Sequence, residues 1–209
     1  MNEFQKACYR KRGEILVKNL TKRHFDAYYC DSAAEALSKA MELIPVGSSV
    51  GWGGAMSAQQ IGLIDAVNAG DYRAIDRNRH ADRDQAMREC LLADVFISGA
   101  NALSLDGEMV NIDGNGNRVA AIVYGPKSVI VIAGMNKVVD SLEDAVTRAR
   151  TVAAPMNQQR FMLDNPCSAT GTCADCLSKT CICNQILITR HCRPVGRIKF
   201  IIVGEELGY

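Results

Sequence analysis

Residues 95–118 read VFISGANALSLDGEMVNIDGNGNR, an apolar run that turns abruptly into a concentration of Asn, Asp and Gly. Val95 to Ser98 has the unbroken apolar pattern of a strand buried on both faces. Asp106-Gly107 and Asp113-Gly114 are turn dipeptides, because Gly accepts positive φ and Asp can bond its own backbone. Glu108-Met109-Val110 between them predicts a short strand leading to Arg118. Amides, backbone N–H groups and one fixed cation would then gather beyond the end of a buried strand, where open α/β sheets hold their ligands. An ordinary hairpin gives the same pattern, and periodicity does not separate the two.

The flanking segments supply the layers. Phe4, Ala7, Cys8, Ile15, Leu16 and Leu20 recur at helical spacing, and Arg10-Lys11-Arg12 reads as that helix's solvated face. Phe25 to Cys30 predicts a strand; Asp31 or Ser32 can cap a helix through Ile44, and Val50-Gly51-Trp52 predicts the next strand. Gly51-Trp52-Gly53-Gly54-Ala55-Met56-Ser57 then opens a helix expected to run to Ala69. Tyr72 to Ile75 predicts a strand, and Asp82 caps a helix to Ala93. Val129 to Ala133 is a better strand than Val119 to Val123. Ser141 caps a helix expected to end at Ala154-Pro155, and Ile186 to Ile188 and Ile198 to Val203 read as closing strands. This helix–strand rhythm is that of a layered α/β domain.

At 209 residues with a net charge of +1, the chain suits a single domain and carries no field that argues for nucleic acid. No apolar run reaches the roughly 20 residues of a membrane span, so no membrane partner is expected. The first residues, Met1 to Lys6, lack the apolar core of a signal peptide, and a cytoplasmic location is expected. The oligomeric state is not legible.

Nine cysteines are unusual for disulfides in such a compartment. Five lie between Pro166 and Ile186, as Cys167, Cys173, Cys176, Cys181 and Cys183, with Cys192 beyond. The Cys173-x2-Cys176 pair can bring two thiolates to one side of an ion. Metal ligation is favoured over disulfides or free thiols, and an iron–sulfur cluster over zinc, because zinc sets tend to use two separated pairs. Cys8, Cys30 and Cys90 read as core residues.

The Gly53-Gly54 turn exposes N–H groups suited to phosphate or carboxylate, but lacks the Gly-Lys-Ser/Thr of a Walker motif. Lys137, after the Val129 strand, is placed to reach the same end of the sheet as Arg118. His80 reads as a loop histidine, with a base as the alternative. The candidate ligand groups are therefore Gly53, Gly54, Asn101, Asn111, Asp113, Arg118 and Lys137; the candidate catalytic residues are Asp106, Asp113, Arg118 and Lys137, with Asp106 or Asp113 as a general base. No complete catalytic set is visible.

Several stretches together resemble the LUD, or lactate-utilisation, domain family over nearly the whole chain. They are Val50 to Met56, Ala93 to Phe96, Gly99 to Asn101 with Asp106-Gly107, and Val110 to Arg118. Gly125-Pro126-Lys127, Gly134 to Val138, Ala153-Ala154-Pro155, Pro166-Cys167 and Val203 to Tyr209 continue the match. The resemblance implies a three-layer α/β/α fold of the ribose-5-phosphate isomerase, glucosamine-phosphate deaminase and CoA-transferase type, with a Cys-rich segment at about 166–192. It also implies lactate oxidation in concert with iron–sulfur or other redox partner proteins. Its Cys-bearing branch matches Cys167, Cys173, Cys176 and Cys183, with Cys181 and Cys192 as additions. Ala55 stands where a Ser is common, which removes one hydroxyl from the Gly-rich turn. The alternatives are an isomerase or acyl-transfer enzyme with a structural zinc, and a non-catalytic subunit that docks a redox partner.

Overall fold

Val129 to Ala133 is completely buried, and its neighbours in space explain why. The computed structural model describes residues 1–209. Its first half contains α1 (Glu3–Lys22), β1 (Asp26–Cys30), α2 (Ala33–Leu43), β2 (Ser49–Trp52), α3 (Met56–Gln60), α4 (Leu63–Ala69), β3 (Arg73–Ile75), α5 (Arg83–Glu89) and β4 (Val95–Gly99). Next come β5 (Ala102–Ser104), β6 (Met109–Asp113), α6 (Asn117–Val123), β7 (Ser128–Gly134) and β8 (Val138–Val139). The chain finishes with α7 (Leu142–Arg148), α8 (Ala154–Gln159), α9 (Pro166–Thr170), β9 (Gln185–Thr189) and β10 (Ile198–Val203).

Six strands form a parallel sheet in the order β1-β10-β7-β4-β2-β3. The two-residue period of β7 divides the core. Val129, Val131 and Ala133 meet Leu16 and Leu20 of α1, Ala86 of α5 and Ile122 of α6 on one face. Ile130 and Ile132 meet Ala36 and Ala40 of α2, Ala58 of α3 and Leu63 of α4 on the other. A strand covered on both faces has no polar positions, which is why this run shows no alternation. The three-layer α/β/α architecture implied by the sequence is the one observed.

A second sheet, β8-β5-β6-β9, sits beside the first and packs Ala102, Val110 and Ile112 against Ala145 and Ala149. Its β5–β6 hairpin is the middle of the quoted stretch. The expected strand Ile186 to Ile188 is present as β9 of this second sheet, antiparallel to β6.

Three expectations are corrected. The helix expected over Ser57 to Ala69 is broken at Gly62, which adopts φ +80 and ends one helix while starting the next. The helix after Ser141 does not stop at Ala154-Pro155: a wider π turn at Ala149–Ala153 carries it into α8. Such a turn shifts the backbone hydrogen-bond pattern just where Pro155 lacks an N–H. Cys8 is exposed on the outer side of α1, whereas Cys30 and Cys90 are buried as expected. Val119 to Val123 is the body of α6. No helix is long and apolar enough to cross a membrane.

Gly134 ends β7 where the C-terminal strap crosses it. A Cβ there would stand 2.5 Å from Glu205 O and 2.6 Å from Leu207 N. Those backbone groups cannot rotate away, so Gly134→Ala is expected to destabilise the fold by about 1–3 kcal/mol. Chemical denaturation of wild type and variant measures it, and equal midpoints would refute the close approach.

Candidate functional site

The carboxyl ends of neighbouring parallel strands converge on one cavity. The chain leaves β2 toward β3 but leaves β4 toward β7, so a crevice opens beyond the adjacent ends of β2 and β4. Gly54 follows β2, Arg77 follows β3, Ala100 and Asn101 follow β4, and Lys137 follows β7. All five line a cavity of about 450 Å³, joined by Asp113 and Arg118 from the β6–α6 connection.

Arg118 is the fixed cation of the site. Asp113 Oδ2 accepts from Arg118 N at 2.9 Å and from Val119 N at 3.3 Å, which holds the first turn of α6. The guanidinium donates to Gly54 O at 3.3 Å, to Asn101 Oδ1 at 3.3 Å and to Ile112 O. Only 12% of its side chain is exposed, and its Nε–H is buried with no acceptor in the protein. Burial works against its charge, with Asp113 at 4.0 Å as the compensating carboxylate.

Lys137 is 4% exposed and donates from Nζ to Ser57 Oγ at 3.0 Å; Ser57 Oγ in turn donates to Leu207 O at 3.2 Å. Burial, helped by the nearby Arg148 and Arg118 charges, lowers its pKa to about 7. Arg148 itself is absorbed by carbonyls, donating to Asn136 O at 3.1 Å, Asn101 O at 2.5 Å and Tyr209 O at 3.3 Å.

The remaining candidates divide. Asn101 faces the cavity and braces the site, since its Oδ1 also accepts from Ile112 N at 2.9 Å. Asn111 lies wholly buried beneath it, donating to Gly99 O at 2.9 Å with Oδ1 unpartnered, and does not line the cavity. Gly53 is packed under Arg118, whose Cβ would be 3.1 Å from an added Cβ. Asp106 lies in the turn at the far end of the β5–β6 hairpin, where its carbonyl accepts from Arg23 Nε at 2.7 Å. The structure therefore does not bring Asp106 to the other candidates, and it commits Asp113 to the start of a helix. His80 lies in an exposed loop with Nε2 4.0 Å from Glu89.

The cavity also contains arginines that sequence reasoning missed as site residues: Arg77, Arg83 and Arg160. The signal for Arg77 was present, because Asp76-Arg77-Asn78 follows directly on β3, at the same sheet edge as Gly54.

A second cavity, of about 310 Å³, is lined by Cys167, Cys173, Cys176, Cys181 and Cys183. Burial first, then the neighbouring thiols, push the Cys183 thiol up to about 12. Hydrogen bonds from Ser178 draw the Cys176 thiol down. Cys192 is buried elsewhere, against Pro194 O and Ile198 N. Gln158, wholly buried on the wall of this cavity, has neither amide atom partnered. No three His, Cys, Asp or Glu side chains stand arranged as a ready metal site. The thiols surround a common space, however, and a bound group there would meet soft sulfur donors and an amide lacking partners. Cys167, Cys173, Cys176 and Cys183, the residues that would hold a Cys-ligated centre, share this wall with Cys181. Ile182 lines both cavities.

The sequence profile of the LUD domain matches residues 13–203. No curated protein matches the chain. Among solved structures it is similar to a DUF162 family protein from Deinococcus radiodurans, with 13% identity, a TM-score of 0.53, and coverage of 95% of this chain and 97% of that one. At that identity the likeness speaks to the fold alone. A shorter alignment, with ribose 5 phosphate isomerase A from Neisseria gonorrhoeae, has 20% identity, covers 51% and 52% of the two chains and has a TM-score of 0.34, too slight to bear on the fold.

Proposed function

Because the chain belongs to the LUD domain family, we propose that it acts in the utilisation of lactate or a related 2-hydroxy acid, binding a small carboxylate at Arg118. The observation that carries this reading is a buried guanidinium, its Nε–H without an acceptor, on a residue that lines a cavity together with Lys137. Arg118 is pre-set by three protein acceptors, so its fork is held in place before a ligand arrives. Asn101 holds the same fork from β4, and Asp113 fixes the helix that carries it. Calorimetric titration with lactate and pyruvate tests the site; no heat from either at millimolar concentration would overturn it.

The redox half of the reading belongs to the cysteine cavity. A cluster held by Cys167, Cys173, Cys176 and Cys183 would supply one-electron transfer, and electrons would pass to or from an iron–sulfur or other redox partner protein. Protein purified without oxygen is expected to be brown and to contain iron and acid-labile sulfide, both lost in Cys173→Ser. A colourless preparation carrying a single zinc would overturn the redox role and leave a structural one.

One observation favours a second reading, an isomerase or acyl-transfer activity on a larger anion. The cavity of about 450 Å³ exceeds the needs of a three-carbon acid, and Arg77, Arg83 and Arg160 also line it. Sugar phosphates and acyl-CoA belong in the same titration, and tight binding of one of these with none of lactate would select this reading.

A further inference from the structure

We propose that Lys137 is an imine-forming amine: the cavity takes a 2-oxo acid whose carboxylate lies on Arg118 and whose keto carbon bonds to Lys137 Nζ. This inference rests on the reading of the cavity as a small-carboxylate site.

Three observations carry it. First, Lys137 is a buried lysine whose ammonium nitrogen has no carboxylate partner; its one hydrogen bond goes to a hydroxyl, Ser57 Oγ at 3.0 Å. Buried lysines kept for structure are ordinarily paired, since an isolated ammonium away from water is costly. Second, the partner leaves the nitrogen free to react. The Ser57 hydroxyl places its own hydrogen on Leu207 O at 3.2 Å, so it can only accept from Nζ. One N–H is thereby held, the amine is oriented, and its lone pair is uncommitted. Third, Lys137 is one of the residues lining the cavity that Arg118 also lines. The cations around it, Arg118 from α6 and Arg148 from α7, further disfavour the protonated form, so the amine is substantially neutral near neutral pH.

The chemistry balances without an oxidant. Nζ adds to the keto carbon and gives a carbinolamine. The former carbonyl oxygen then leaves as water with both amine hydrogens, so that a C=N bond replaces the C=O bond. An imine withdraws electrons from the adjoining carbons, which places Lys137 in the class of reactions that form or break a bond next to a former carbonyl carbon. A merely structural Lys137 would instead serve only to tie Ser57 and the C-terminal strap together.

The test uses the full chain, pyruvate and sodium cyanoborohydride, followed by digestion and mass spectrometry. The expected result is one carboxyethyl group per chain, on Lys137 ahead of the surface lysines, absent in Lys137→Arg and reduced at least ~10-fold in Arg118→Lys, where the guanidinium fork is gone. The mapping of the wild-type chain decides the question even if a variant fails to fold. Pyruvate that binds in calorimetry yet leaves Lys137 no more modified than the surface lysines would overturn the imine and leave the carboxylate site standing. Failure of pyruvate and lactate to bind at all would overturn both.

Discussion

Arg118→Ala is expected to weaken binding of lactate or pyruvate by at least ~30-fold, the effect of removing a buried charged partner worth about 2 kcal/mol or more. The geometry explains why the loss should be large. The guanidinium already spends its NH groups on Gly54 O, Asn101 Oδ1 and Ile112 O, and is held rigid by them. A ligand carboxylate therefore gains a charge-assisted bond without ordering a flexible side chain. Arg118→Lys keeps the charge and loses the fork, so its affinity should lie between wild type and the alanine variant. Calorimetry on proteins matched for thermal unfolding measures both. An affinity for either acid unchanged in Arg118→Ala would exclude the residue as the anion's partner.

Lys137→Met should change how stability depends on pH more than it changes the fold. In an unfolded chain a lysine titrates near 10.4, whereas in the folded chain Lys137 titrates at about 7. Between these values the unfolded chain holds a proton that the folded chain lacks, so stability rises with pH by up to ~1.4 kcal/mol per pH unit from this group. Below about 7 the amine is charged in both states and the whole burial penalty is felt. Above about 10.4 it is neutral in both, and the penalty is gone. The groups facing it are Ser57 from α3, Arg118 from α6 and Arg148 from α7, none of which changes charge across most of this window. The methionine variant should therefore gain most over wild type at about pH 6, with the difference shrinking steadily toward pH 10. Denaturant unfolding at several pH values reads this directly; a difference that does not vary with pH would show that Lys137 is not buried as described.

The layered fold was legible because its central strands are buried on both faces. Val95 to Ile97, Val129 to Ala133 and Phe200 to Val203 are unbroken apolar runs, and each lies in a strand of the parallel sheet. What misled the sequence reading were places where local signals compete. Pro155 is a strong stop in an isolated helix, yet a π turn just ahead of it lets the helix continue. Ile186 to Ile188 was legible as a strand, but composition does not say which sheet it joins, and β6 captures it.

Legibility within the cavity followed the same rule. Arg118 and Lys137 were found because each follows a recognisable strand. Asp106 was misplaced because a hairpin folds its turn away from its ends, and both ends of a hairpin look alike in an Asp-Gly signal. Gln158 carried no signal at all. A glutamine inside a helix is ordinarily a solvent-facing residue, and only packing reveals that both of its amide atoms are sealed away from any partner.

Ile182 is a shared partition: it stands between Cys181 and Cys183, and its main chain packs 3.4 Å from where a side chain on Gly114 would begin. The two cavities therefore share one residue as a common wall. On the function proposed above, a group that drew Cys181 and Cys183 together would shift the residue between them, and a ligand on the other side would feel that shift. Thermodynamic reciprocity would then fix the outcome in both directions: the factor by which metal loading altered affinity for the acid would equal the factor by which the acid altered affinity for the metal.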